Sequence, residues 1–117
     1  MAYPGSTIDY GSGVAALKYQ VITIASGVAT VPKLTPVIVL AAESSTTDTL
    51  DTLTVTNVLR GDTTILVADT GDTITVDDAN IDLGAATRAI APGGSLHVRY
   101  DGTSWVEVAF LAAADNA

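Results

Sequence analysis

GDTITVDDANIDLGAATRAIAPGGSLHVRYDGTSWVEVAF, residues 71–110, reads as strand, turn and strand with almost no interruption. Asp101-Gly102, followed by Thr103 and Ser104, separates two alternating segments, a strong local signal for a hairpin. On the first flank Leu96, Val98 and Tyr100 alternate with His97, Arg99 and Asp101. On the second, Trp105 opens a run through Val106, Glu107 and Val108. The stretch specifies a β-rich unit, and nothing in it is arranged for chemistry.

Upstream, the same alphabet continues. Residues 19–24 (YQVITI) alternate cleanly, turn at Ser26-Gly27 and return through Val28 to Val31, the pattern of a hairpin. Pro32 and Pro36 bracket a loop. Residues 37–42 are almost wholly apolar, which predicts a strand buried on both faces or at a subunit interface. Residues 43–50 read as a polar loop. Residues 53–58 and 63–68 are expected to pair about the Arg60-Gly61-Asp62 turn, and Asp69-Thr-Gly-Asp72 makes another tight turn. Gly61-Asp-Thr and Gly71-Asp-Thr echo each other, but two copies ten residues apart do not make a solenoid, so they read as two similar turns. About eight short, closely spaced strands predict an all-β domain: a compact antiparallel sandwich, jelly roll or small barrel. Residues 1–13, rich in Gly and with two tyrosines, read as an extended N-terminal arm. Residues 14–117 read as one β-domain, whose opening segment 14–19 fits either a helical turn or the approach to a strand.

Composition supports sheet over helix. Of the 117 residues 48% are hydrophobic but only 5% aromatic, so Ala, Val, Ile and Leu carry the burial, with Trp105 and Phe110 as large anchors. Threonine, frequent in residues 46–56, suits the solvent face of a strand. A net charge of −8 repels phosphate backbones and disfavours nucleic-acid binding. The five Lys and Arg residues are scattered. There is no cysteine, hence no disulfide framework and no thiolate metal site. No signal peptide is visible, and the longest apolar run is far short of the about 20 residues that span a bilayer. These features predict a soluble protein made in a cytoplasm, with no membrane association.

Chemistry finds little purchase. Asp78, Asn80 and Asp82 have the one, three, five spacing of a calcium loop, but the turn glycine expected next is Leu83 and the bidentate acid expected at position twelve is Ala89. A strand with its polar face in water explains them better. Arg60-Gly61-Asp62 spells an integrin-type tripeptide that a turn explains fully. His97 is the single histidine; pairing it with Ser95 or Ser104 in a triad lacks a nucleophile elbow, so a solvent-facing sheet histidine is expected. The carboxylates mostly sit at turns, and Pro92-Gly93-Gly94 lacks the Lys and helix of a phosphate loop. The expectation is no enzyme, no cofactor, no metal and no small-molecule substrate.

Residues 73–76 (TITV), 80–84 (NIDLG), the 91–94 turn (APGG) and the final L-x-V-x-Y-D-G-T-x-W pair at 96–105 together resemble the C-terminal region of phage virion surface proteins. These are capsid decoration (cement) proteins, head fibres and some tail-fibre domains, and the resemblance covers roughly residues 50 to 110. It implies an all-β domain that trimerises on the outside of a particle. The leading expectation is therefore a homotrimeric decoration protein on the virion exterior that binds the major capsid protein and stabilises the shell. The alternative is a head-fibre or tail-fibre domain that binds a host-surface receptor. The candidate capsid or subunit contacts are Tyr3, Ile8 and Tyr10 on the arm, Val37 and Val39 in the apolar run, and Phe110 and Leu111 near the C-terminus.

Overall fold

A computed structural model describes residues 18–113. They form eleven strands: β1 (Tyr19–Thr23), β2 (Val28–Val31), β3 (Val37–Ala41), β4 (Thr47–Leu50), β5 (Thr52–Val55), β6 (Thr63–Ala68), β7 (Thr73–Asp77), β8 (Ile81–Asp82), β9 (Thr87–Ile90), β10 (Ser95–Tyr100) and β11 (Trp105–Leu111). The all-β expectation holds. The sandwich, jelly roll or barrel does not: the chain winds as a β-solenoid of about three turns. Successive turns stack strand on strand in parallel. β1 lies beside β3 and β3 beside β6 on one face, β2 beside β5 on another, and β4 beside β7 on a third.

The parallel stacking overturns the local hairpins expected upstream. β1 and β2 are consecutive sides of one turn of the coil, joined at a tight corner where Ala25 and Val28 bridge. β5 turns away from β6 and pairs with β2 instead. The Gly61 and Gly71 turns lead into β6 and β7, two sides of the same turn, so their ten-residue echo lies within a coil and not between coils. Residues 47–50, expected in a loop, form β4, because Leu50 points inward over Val76 while the threonines face out. The hairpin at Asp101-Gly102 is present as expected. β10 and β11 pair antiparallel, and the Asp101 carboxylate accepts the Thr103 and Ser104 N–H groups at 2.9 and 2.8 Å.

Inward positions stack in aliphatic rows from turn to turn: Ala29 and Val31 on Leu53 and Val55, Ile38 on Leu66, Leu50 on Val76. All are buried. Facing sheets about 10 Å apart leave room for branched aliphatic side chains but little for rings, which accounts for a core rich in Val, Ile and Leu. The large exception is Trp105, buried at the C-terminal end with the Tyr100 ring tilted against it at 5.2 Å between centroids.

Antiparallel strands finish the stack: β9 adds to β7, and β10 then β11 add to β6. A polar lid lies over them. Arg88 makes a bidentate pair with Glu107, both hydrogen bonds 2.8 Å, and its guanidinium sits 5.0 Å from the centre of the Phe110 ring. Solenoids need such a finish, because an open last turn would expose its core row.

Candidate functional site: an apolar sheet face

The largest sheet runs β1-β3-β6-β10-β11-β8. Its inward residues feed the core, so its outward residues define one continuous face. The register fixes that face row by row. Tyr19 aligns with Val37, Val37 with Ile65, Ile65 with His97, and His97 with Ala109. Two residues along, Val21 aligns with Val39 and Val39 with Val67, while Ser95 aligns with Leu111. A register shift between His97 and Val98 leaves Val108 unpaired on β11, the signature of a β-bulge. The bulge turns Val108 outward beside Ala109.

Of the five large hydrophobic residues most exposed among the described residues, four lie on this face: Tyr19 (60%), Val21 (52%), Val108 (57%) and Leu111 (42%). Between them Val37, Val39, Ile65 and Val67 are half-buried. None of the outward positions on β1, β3, β6, β10 or β11 is a carboxylate, although the chain carries 13 acids. Asp82 stands exposed on β8, at the edge of the sheet, and several of the other described acids are engaged at turns. Asp72 accepts the Ala42 N–H, Asp62 the Leu59 N–H and Asp48 the Glu43 N–H.

From the segment before β3 across β6 to β11 the face dips into a groove of about 560 Å³, lined by Leu34, Pro36, Ile65, His97, Val98 and Val108 together with Thr35, Thr63 and Thr64. Two of its threonines spend their hydroxyls on internal hydrogen bonds. The buried Thr64 hydroxyl donates to Thr35 O at 2.9 Å, and the Thr35 hydroxyl donates to Val37 O at 2.7 Å while accepting from the Gln20 amide. His97 is half-buried in the wall, and no side-chain hydrogen bond engages its imidazole among the described residues.

The sequence-predicted contacts divide. Val37 and Val39 lie on the face, near its middle, and Leu111 lies at its edge. Phe110 turns the other way, aligned with the inward Leu96 and packed under Arg88. Tyr3, Ile8 and Tyr10 lie outside the described residues. Tyr19, Val21, Ile65, His97 and Val108 were not anticipated as a group. The signal for them is the apolar pair at outward spacing that recurs as Tyr19/Val21, Val37/Val39 and Ile65/Val67.

The calcium-like trio does not converge. Asp78 accepts the Leu83 N–H at 3.0 Å, and the Asn80 side chain is bonded to the Leu53 backbone. Among the described residues no group of three His, Cys, Asp or Glu side chains could hold a metal ion, and no helix is long and apolar enough to cross a membrane. Arg60-Gly61-Asp62 is a turn, closed by Asp62 N–H to Leu59 O at 3.0 Å.

Four titrating groups are displaced from their usual ranges. The hydrogen bonds from Arg88 hold the Glu107 carboxyl low, and the same pair raises Arg88. The Ser104 and Thr103 N–H groups hold Asp101 low. Asp77 is pushed up, chiefly by a hydrogen bond shared with the Asp51 side chain on the turn below. None of these groups is an outward residue of the apolar face. The chain matches no known family model, no curated protein and no solved structure.

Proposed function

We propose that this chain is a structural assembly protein: a homotrimer that binds the outside of a phage capsid, through the major capsid protein, and reinforces the shell. The observation that carries the reading is the largely apolar outer face that β1, β3, β6, β10 and β11 form without an outward carboxylate, on an otherwise acidic molecule. An exposed apolar area of that continuity marks an interaction surface, and the −8 charge keeps the remaining surface soluble. The solenoid suits a reinforcing role, because its turns are tied by ladders of backbone hydrogen bonds running along the coil. The resemblance of residues 50 to 110 to virion surface proteins supplies the capsid as the target. In this reading the protein performs no catalysis and uses no cofactor, nucleic acid or membrane.

The test is to mix the purified protein with undecorated capsids, then measure co-sedimentation and the temperature at which the shells break. Binding with a raised disruption temperature supports decoration. An oligomer that ignores capsids and adheres to host cells transfers the function to a receptor-binding fibre domain.

A further inference from the structure

We propose that the rim of the six-stranded sheet where β1, β3 and β6 begin binds an extended acidic peptide segment of a partner protein. The carboxylates of that segment meet Lys18, Lys33, Arg60 and Arg99, and its apolar side chains enter the adjoining groove. On the decoration reading above the partner is the major capsid protein; the site itself rests on the rim and the groove.

The chain has five Lys and Arg residues, and all but Arg88 gather at this rim. Lys18 immediately precedes β1, and its carbonyl accepts the Val37 N–H at the start of β3. Lys33 lies in the segment leading into β3, where the Gln20 side chain of β1 donates to its carbonyl and to the Thr35 hydroxyl. Arg60 opens the turn before β6, and Arg99 aligns with Thr63, the first residue of β6. That turn is tied to the end of β10: the Gly61 N–H donates to Tyr100 O, and the Tyr100 N–H to Asp62 O, both at 2.8 Å. All four cationic side chains are exposed. The one ion pair among the described residues is Arg88 with Glu107, so these four are open to a ligand.

The acids are placed the other way. Glu43, Asp48, Asp69 and Asp72 gather where β3 and β6 end: the Asp69 N–H donates to Leu40 O, Asp72 accepts the Ala42 N–H, and Asp48 accepts the Glu43 N–H. At the basic rim stand Asp62 and Asp101, whose carboxylates are already engaged by the Leu59 N–H and by the Thr103 and Ser104 N–H groups. Asp82 bounds the rim two strands beyond Arg99. Four cations against Asp62 and Asp101 leave this stretch positive on a chain of net charge −8. The six residues of β6 separate the two rims by about 20 Å, more than two Debye lengths at physiological salt. An anionic ligand at the basic rim is therefore attracted locally and screened from the carboxylates across the sheet.

The groove selects the rest of the ligand. It follows the same rim, from Leu34 and Pro36 past Ile65 to Val108, so apolar walls lie beside the row of cations. Thr63 and His97 in its lining have no side-chain hydrogen bond among the described residues and can take peptide backbone groups. From β1 to β10 the rim crosses three strand spacings, about 14 Å, the length of about four extended residues. Side chains alternate along an extended segment, so acids interleaved with aliphatic residues address the cations and the groove at once. A polyphosphate has no aliphatic groups for those walls, and no Tyr, Trp or Phe lines the groove to stack a nucleobase.

The experiment titrates the full chain into a fluorescein-labelled EVEVEVE peptide and follows fluorescence anisotropy, with QVQVQVQ peptide and inorganic polyphosphate as the other probes. The acidic peptide should bind at least about tenfold more tightly than either, and raising NaCl from about 50 to about 500 mM should weaken it about tenfold. Lys18→Glu with Lys33→Glu, Arg60→Glu with Arg99→Glu, and Val108→Glu should each cost about tenfold or more. Thr54→Glu, exposed on β5 on another side of the coil, should not. Circular dichroism checks folding, and Arg99→Gln, which removes a charge without reversing it, serves where a reversal unfolds the chain. No binding of the acidic peptide, binding indifferent to both pairs of reversals, equal loss in Thr54→Glu, or tighter capture of polyphosphate would overturn the proposal. A chain that binds the peptide and ignores capsids leaves this site standing and removes the capsid reading; a chain that binds capsids and ignores the peptide does the reverse.

Discussion

The Asn80 side chain takes the place of a strand beside Leu53. Its amide oxygen accepts the Leu53 N–H at 2.9 Å and its amide nitrogen donates to Leu53 O at 2.8 Å, while Asn80 O accepts the Trp105 N–H. β2 and β5 stack as a two-stranded ladder, and the next turn has no strand to place on β5. One amide with a donor and an acceptor reproduces the pair of bonds that a strand residue would have made.

Asn80→Ala is therefore expected to leave the Leu53 N–H and C=O short of partners and to lower stability by about 2–4 kcal/mol, from two hydrogen bonds in a partly buried site. Asn80→Asp keeps the acceptor but removes the donor and should lie between the two. Urea unfolding followed by circular dichroism checks both. An unchanged midpoint for Asn80→Ala would contradict this role.

The local β character and the closing hairpin were legible because they depend on neighbours in sequence: alternation at Leu96, Val98 and Tyr100, and the turn chemistry of Asp101-Gly102. The winding was not. Tyr19 pairs with Val37 at a separation of 18 residues, Val37 with Ile65 at 28, Val28 with Thr52 at 24 and Thr47 with Thr73 at 26. Turns of unequal length hide the repeat from any search at a fixed period. Parallel partners also share no turn signal, so Ser26-Gly27, which bends one side of the coil into the next, looked like a hairpin tip. The face was half legible. Val37 and Val39 stood out in an apolar run, whereas His97 and Val108 join them only through the register with Ile65 and the β-bulge.

Gly27 adopts φ +81° at that corner, where its carbonyl accepts the Asp51 and Thr52 N–H groups and any Cβ would collide with the Asp51 carboxylate. Gly27→Ala adds left-handed strain to the collision and should cost about 1–3 kcal/mol. Gly71 has nearly the same φ, +82°, but open space around it, so Gly71→Ala should cost less. Parallel thermal unfolding of the two variants separates collision from strain.

Trp105 fills the C-terminal end of the core against Tyr100. Trp105→Ala should lose about 3–5 kcal/mol and the near-ultraviolet circular dichroism signal of the ring pair, whereas Trp105→Phe should retain most of the stability.

Acid acts on this fold in two opposing ways. Glu107 and Asp101 have carboxyls held low, by Arg88 and by the Ser104 and Thr103 N–H groups respectively. Their stabilisation is complete above the ordinary carboxylate range and disappears as pH falls through their depressed folded values. Asp77 is held high by its hydrogen bond to Asp51, so its contribution is complete below the ordinary range and disappears as pH rises through the raised folded value. Asp77→Asn should therefore raise the melting temperature slightly at pH 7 and make the loss on acidification steeper relative to wild type. Melting curves between pH 3 and pH 7 read both. A lower melting temperature for Asp77→Asn at pH 7 would show that the shared proton is not the controlling feature.

The measurement that bears most directly on the assembly reading is the native mass of the purified protein by sedimentation equilibrium, taken across a dilution series. The account predicts three times the chain mass at high concentration, dissociating to monomer on dilution. A monomer at every concentration, or a stable dimer, would contradict it.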